Sequence, residues 1–209
     1  MILIEYSKLN GAEYIPHLDM LKHFAKIIRR MGVKVEYSQG FNPHMLVFMS
    51  SPIALGLKSK CEYCIIQSDE NAELFKELFN KFAPSGIRCE RAFNVTKKAK
   101  IASEITSATY VIYGINKFDV SSVLTANSFI IEDKHGNLKE VKEKILSLSF
   151  DGNDLIAKLA FGNDTLRPDY LASALIKKYG GSSVDIIKTG SSFLNDLDVA
   201  DYLEKTQCL

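Results

Sequence analysis

The chain has 209 residues, of which 46% are apolar and 24% charged, the balance of a globular protein of one or two domains. That composition excludes a disordered or fibrous chain, and no run reaches the ~20 apolar residues that span a bilayer, so no membrane partner is expected. The formal charge is +1, which by itself points to no nucleic-acid partner either.

In chain order, the first strand is expected at 2–6. It has neither a basic leader nor a small-residue cleavage site, so the expected location is cytoplasmic. A helix follows at 17–31, with Pro16 at its start, Asp19 in its first turn and a stripe of Leu18, Leu21, Phe24, Ala25 and Ile28. Arg29 and Arg30 fill its last turn, and Gly32 stops it. Residues 33–38 read as a strand, 39–43 as a Gly- and Pro-bearing loop, and 45–51 and 60–67 as two more strands. Ser68 is the expected cap of a second helix that buries Leu74, Phe75, Leu78, Phe79 and Phe82. A strand at 87–95 closes this half.

The second half starts with a β-branched and tyrosine-rich strand at 106–115. Asp119 caps a short helix through Leu124, and 128–133 is a strand. His135-Gly-Asn137 and Asp151-Gly-Asn153 are hairpin turns on either side of one long strand at 138–150, and Leu155, Ala157, Leu159 and Phe161 alternate along the next. Asp164 or Thr165 caps a helix from about Pro168, and 183–189 is the last strand. Each half thus reads β-α-β-β-β-α-β: an α+β fold of two tandem ferredoxin-like units, each with one added strand. The expected boundaries are 1–95 for the first unit, a basic linker at 96–105, 106–191 for the second unit, and an acidic tail at 192–209.

The four cysteines are Cys61, Cys64, Cys89 and Cys208. Cys61-Glu-Tyr-Cys64 fits C-x-x-C, but in a strand positions three apart face opposite sides, which favours buried thiols over a metal or redox pair. No P-loop, dinucleotide, zincin or hydrolase signature is present. No metal or cofactor is assigned to the chain. The near-zero total charge conceals a division. Residues 1–100 hold 15 basic against 10 acidic side chains, net +5, and residues 101–209 hold 11 against 15, net −4. A basic half is compatible with an anionic partner.

Three of the four histidines, His17, His23 and His44, fall in residues 17–44 beside Asp19, Arg29, Arg30 and the loop Gly40-Phe-Asn-Pro-His44. If the start of the first helix and the end of this loop meet, His17, Asp19 and His44 are candidates for acid–base chemistry, metal binding or ligand binding. They can equally serve local structure, since polar residues at a helix start satisfy free amides.

Pro16-His-Leu-Asp19, Arg29-Arg30, Gly40-Phe-Asn-Pro-His44, Leu55-Gly-Leu-Lys-Ser59, Glu62-Tyr63 and Leu166-Arg-Pro168 together resemble a bacterial family of radical-SAM-linked proteins of unknown function, in its stand-alone form. Two positions depart from the family pattern: Met45 replaces a proline after the loop histidine, and Lys188-Thr189 stands where Arg-Thr is usual. Lysine keeps the charge but loses the bidentate fork. The resemblance implies association with a radical-SAM enzyme acting on RNA or a ribosomal substrate. The chain lacks the C-x-x-x-C-x-x-C run of such enzymes, so a partner would supply cluster and SAM. The expected role is an adaptor or substrate-binding module, with Arg29, Arg30, Gly40, Phe41, Asn42, Arg167 and Lys188 as substrate contacts. Two other readings stand beside it. The tandem units with a histidine also resemble metal-independent RNA-processing endonucleases of CRISPR systems, with His17 or His44 as base and Arg29 or Arg30 on the phosphate. A protein-interaction scaffold docking through the acidic tail is the third.

Overall fold

The computed structural model describes residues 1–95, 104–193, 197–199 and 201. Residues 96–103 of the expected linker and most of the expected acidic tail lie outside the described residues. The described residues fall into two compact units, one within 1–103 joined by 197–201, the other within 104–196. The class is α+β, and no helix among the described residues is long and apolar enough to cross a membrane.

Unit 1 runs β1 (Ile2–Lys8), α1 (His17–Met31), β2 (Val47–Met49), β3 (Lys58–Ile66), α2 (Ala72–Phe82) and β4 (Ile87–Asn94). Strand β1 pairs antiparallel with β4 on one side and β3 on the other, and β3 pairs antiparallel with β2. The order is therefore β4-β1-β3-β2. Ile2, Ile4 and Tyr6 alternate onto the face that packs with α1 and α2, where Phe24, Phe75 and Phe79 are fully buried. The Phe24 and Phe79 rings lie 5.1 Å apart. Each such side chain contributes about 1.5–3 kcal/mol by leaving water. The opposite face of β1 is buried too and holds a charge. Glu5 there accepts hydrogen bonds from Tyr63 Oη at 3.1 Å and from Arg91 Nε, which offsets its desolvation. Gly86, between α2 and β4, has φ +91°, and a Cβ there would stand 2.1 Å from the Leu9 carbonyl oxygen. Only glycine permits this backbone approach.

Four expectations for this unit need correction, the first of them the burial of Leu74, which is 43% exposed on α2. The segment 33–38 is not a strand. Glu36 N–H donates to the Gln67 carbonyl just past 58–66 and Ser38 N–H to the His44 carbonyl, both at 2.8 Å, so isolated bonds tie the segment down and it closes into a loop without forming a ladder. Unit 1 is consequently β-α-β-β-α-β. Ser68 does not cap α2: its hydroxyl donates to the Lys34 carbonyl at 2.6 Å, and the Asn71 side chain accepts from Glu73 and Leu74 N–H instead. The buried stripe of α1 is Met20, Phe24, Ile27, Ile28 and Met31, rotated from the expected one, and Leu18 is 71% exposed.

Unit 2 runs β5 (Ile105–Ile115), α3 (Ser121–Leu124), β6 (Ile130–Glu132), β7 (Leu138–Glu140), β8 (Ile145–Asp151), β9 (Asp154–Ala160), α4 (Pro168–Tyr179) and β10 (Gly181–Phe193). Antiparallel pairing gives the order β10-β5-β9-β8, and β6 and β7 form a separate hairpin. The single strand expected at 138–150 is thus two strands in two different sheets, parted by a 3-10 turn at Lys142–Lys144. Glu140 drives the break by folding back to accept from the Phe129 and Lys142 N–H groups. Helix α4 starts at Pro168 without a side-chain cap, because Asp164 belongs to a preceding 3-10 turn. Alternation places Ile112, Tyr110, Leu155, Ala157 and Leu159 in the core, with Leu171 and Leu175 of α4 also buried.

Candidate functional site

The N-terminus of α1 stands beside the C-terminal end of β1, where Tyr6, Lys8 and His17 line one cavity. The C-terminus of α1 lies at the other end of the sheet of unit 1. There Met31 and residues 32–36 border the same hollow as Gln67 and Ser68, just past β3, and Glu36 N–H donates to the Gln67 carbonyl at 2.8 Å. The loop 38–44 hangs from this second end through the Tyr37–Met45 bridge. A helix rises 1.5 Å per residue, so about 18 Å of axis separates His17 from Arg29.

That geometry divides the expected cluster in two. His17 sits at the cavity end, and His44 sits in the loop at the other. Asp19 joins neither: it pairs with Lys22 Nζ at 2.9 Å on the surface of α1. The Lys22 hydrogen bond holds its carboxyl below the usual carboxylate value. The expected convergence of His17, Asp19 and His44 is therefore not formed, because a fifteen-residue helix separates the two histidines. Arg29 or Arg30 likewise cannot hold a phosphate on which His17 acts, which removes that version of the endonuclease reading.

The loop end gathers most of the expected substrate contacts. Ser38 Oγ bonds His44 Nδ1 at 2.8 Å and accepts from His44 N–H at 3.1 Å, so one serine clasps the loop at its base. Gly40, at φ +125°, turns the tip. Phe41 follows with its ring entirely in solvent, at 106% relative exposure. Gln39, Asn42 and His44 are exposed around it, as are Arg29 and Arg30 on the adjoining end of α1.

The cavity end holds residues that the sequence reading passed over. A cavity of ≈ 220 Å³ is lined by Tyr6, Lys8, His17, Ser50 and Glu62, with Ile15, Met20, Ile53 and Leu55 as apolar walls. Lys8 is 6% exposed and donates to the Ile15 carbonyl at 2.8 Å. Burial holds its ammonium below the ordinary lysine value, against the pull of Glu62 and Glu13. Glu62, 3% exposed, accepts from Ser59 Oγ at 2.7 Å. The available signal was ionisable residues inside otherwise apolar strands, a pattern that is costly unless they are partnered.

The two expected contacts of unit 2 are both engaged within the unit, Arg167 with a side chain still 37% exposed. Arg167 forks Asp169, with Nε at 3.0 Å and Nη2 at 2.6 Å, and lies over the Tyr170 ring at 4.6 Å. Lys188 is 0% exposed and its ammonium lies 4.4 Å from the Phe161 ring centre, so it is a core residue and no contact for an external anion. Cys61 and Cys64 are buried on β3, three positions apart and so on opposite faces. Burial pushes the Cys64 thiol up, and that of Cys89 up to about 12.

A family described as "Uncharacterized protein conserved in bacteria (DUF2344)" matches residues 1–171, and the chain belongs to it. No curated protein matches. Among solved structures, "Crystal Structure of an Unknown Protein from Galdieria sulphuraria" is similar at 12% identity over 90% of this chain and 96% of that one, with a TM-score of 0.27. At that score the likeness carries no argument.

Proposed function

We propose that this member of the bacterial family is a binding module that presents RNA or a ribosomal substrate to a separate radical-SAM enzyme, and that the loop end of unit 1 holds the RNA. One observation carries the reading: the Phe41 ring is wholly exposed on a loop clasped by Ser38 and His44. An exposed phenyl ring on a braced loop costs contact with water and stabilises nothing within the chain. It is suited to stacking on an unpaired base, with Arg29 and Arg30 reaching phosphates alongside. The net charge of +5 in residues 1–100 draws such a ligand in.

The partner rests on the resemblance of the motifs at 16–19, 40–44 and 55–63, and the partner would bring its own cluster and SAM. Both units are read as ferredoxin-like. In each, the last strand lies beside the first and the hairpin follows on the other side, an order that supports the reading.

Filter binding of the full chain to total cellular RNA at two salt concentrations tests the substrate class. Binding that weakens as salt rises is expected; no binding, or binding indifferent to salt, overturns it. Affinity capture with the tagged chain tests the partner, and failure to recover a radical-SAM enzyme removes that half of the proposal.

A further inference from the structure

Unit 2 carries a groove that the RNA reading does not use. It encloses ≈ 460 Å³ between the β6–β7 hairpin and α4, within the ~300–1,000 Å³ usual for binding sites. One wall is five consecutive residues, Ser128 to Glu132. Neighbouring residues of a strand face opposite sides, so a groove bordered by all five runs along the edge of β6 and not over one face. The other wall is Tyr170, Ser173, Ala174, Lys177 and Lys178, a single stripe of α4.

That edge of β6 is open. The strand pairs with β7 alone. Val141 N–H donates to the Phe129 carbonyl and Asp133 N–H to the Asn137 carbonyl, both at 2.9 Å. Hydrogen-bonded pairs alternate in an antiparallel ladder, so Ile131 opposite Lys139 is the pair between them. Ile130 and Glu132 therefore turn their N–H and C=O groups away from β7, and among the described residues these four groups have no partner. Such an edge is a template for another strand, and β6 carries no proline or lysine to block it. Ile130 is 55% and Leu138 73% exposed beside it. On the helix wall, Lys177 lies 3.8 Å from the Glu132 carboxylate, so those two charges answer each other. Lys178 lies over the Phe129 and Tyr179 rings, and among the described residues no carboxylate pairs with it.

We infer that this groove takes an extended segment of a partner polypeptide, added to β6 as a third strand. Its main chain pairs with Ile130 and Glu132, its apolar side chains lie against Tyr170 and Ala174, and a carboxylate meets Lys178. Alternating main-chain donors and acceptors select a strand, because a helix has already paired its own. Residues 128–132 span about 17 Å of extended chain, which sets the segment at about five residues.

Fluorescence polarisation of the full chain with the dye-labelled peptide Val-Thr-Val-Thr-Asp tests this. Saturable binding is expected, about fivefold or more tighter than that of Val-Thr-Val-Thr-Lys. Adjacent amides of a strand point to opposite sides. Of two peptides N-methylated at the third or at the fourth amide, one should therefore lose about tenfold or more and the other stay within about threefold. Ile130→Pro removes an edge donor and no ladder bond, and should weaken the parent peptide about tenfold or more with the circular dichroism spectrum unchanged. If Ile130→Pro does not fold, Lys178→Glu takes its place and should reverse the preference between the aspartate and lysine peptides. No saturable binding up to about 1 mM, equal affinities for the two methylated peptides, or a folded variant that binds as the parent does overturns the inference. So does a dimer in sedimentation velocity that Ile130→Pro abolishes, since a second copy then covers the edge.

Discussion

The double replacement Arg29→Ala/Arg30→Ala separates an electrostatic contact from a stacking one. Both arginines are exposed in the last turn of α1, so together they neutralise at most two phosphates. For single-stranded nucleic acid the slope of log K against log salt is about −0.7 per phosphate contact. The double variant should therefore flatten that slope by about 1.4 and lose affinity mainly at low salt. Phe41→Ala should do the reverse. Stacking of one base on an aromatic ring is worth about 1–3 kcal/mol, so affinity should fall about 5–150-fold at every salt concentration with the slope unchanged. Neither change touches a buried group, and stability should stay within about 0.5 kcal/mol of the parent. Filter binding across a salt series, with urea unfolding as control, reads both effects. An unchanged slope in the arginine variant, or a changed slope in Phe41→Ala, refutes the assignment of roles.

Other outcomes follow from the packing and the acid groups. Phe79→Ala empties a fully buried site between Phe24 and Phe75 and should cost about 3–5 kcal/mol by urea unfolding; a loss below about 1 kcal/mol contradicts that packing. Asn71→Ala removes the acceptor of two N–H groups at the start of α2 and should cost about 1 kcal/mol in the same measurement. The β6–β7 hairpin should loosen in acid. Its bond to Lys139 holds Asp133 well below the usual carboxylate range, and the Ser128 hydroxyl helps to hold Glu140 at about 2. Both values are depressed by folding, so the stabilisation is complete above the unfolded value of about 4 and is lost as pH falls toward 2. The amide shift of Phe129, which donates to Glu140, should titrate near pH 2, and that of His135, which donates to Asp133, should stay flat above it; a midpoint near the unfolded value of about 4 for either contradicts this.

Much of the architecture was legible where one local signal dominated. Pro16, the apolar periodicity and Gly32 locate α1 as observed, since Gly32 at φ +71° is the left-handed stop that its position implies. The β8–β9 hairpin around Gly152 follows from alternation on both sides of an Asp-Gly-Asn turn. Failures came where distant atoms compete for a local group. Ser68 is as good a cap as Asn71, but its hydroxyl goes to Lys34, a partner 34 residues away. The alternation of 33–38 suits a strand, yet the Ser38–His44 clasp closes it into a loop. The candidate site suffered in the same way. Nearness in sequence suggested that His17, Asp19 and His44 meet, whereas the length of α1 parts them. Lys8 and Glu62 share a cavity only because β1 and β3 pair with Tyr6 opposite Glu62 and Lys8 opposite Ser59.

The most direct measurement is nuclear magnetic resonance mapping of a short single-stranded RNA onto the isotope-labelled full chain. The binding reading expects amide shift changes concentrated at residues 29–30 and 38–44, with the Phe41 ring resonances moving most. Shifts confined to residues 104–193, or no shifts at RNA concentrations that saturate filter binding, would contradict it.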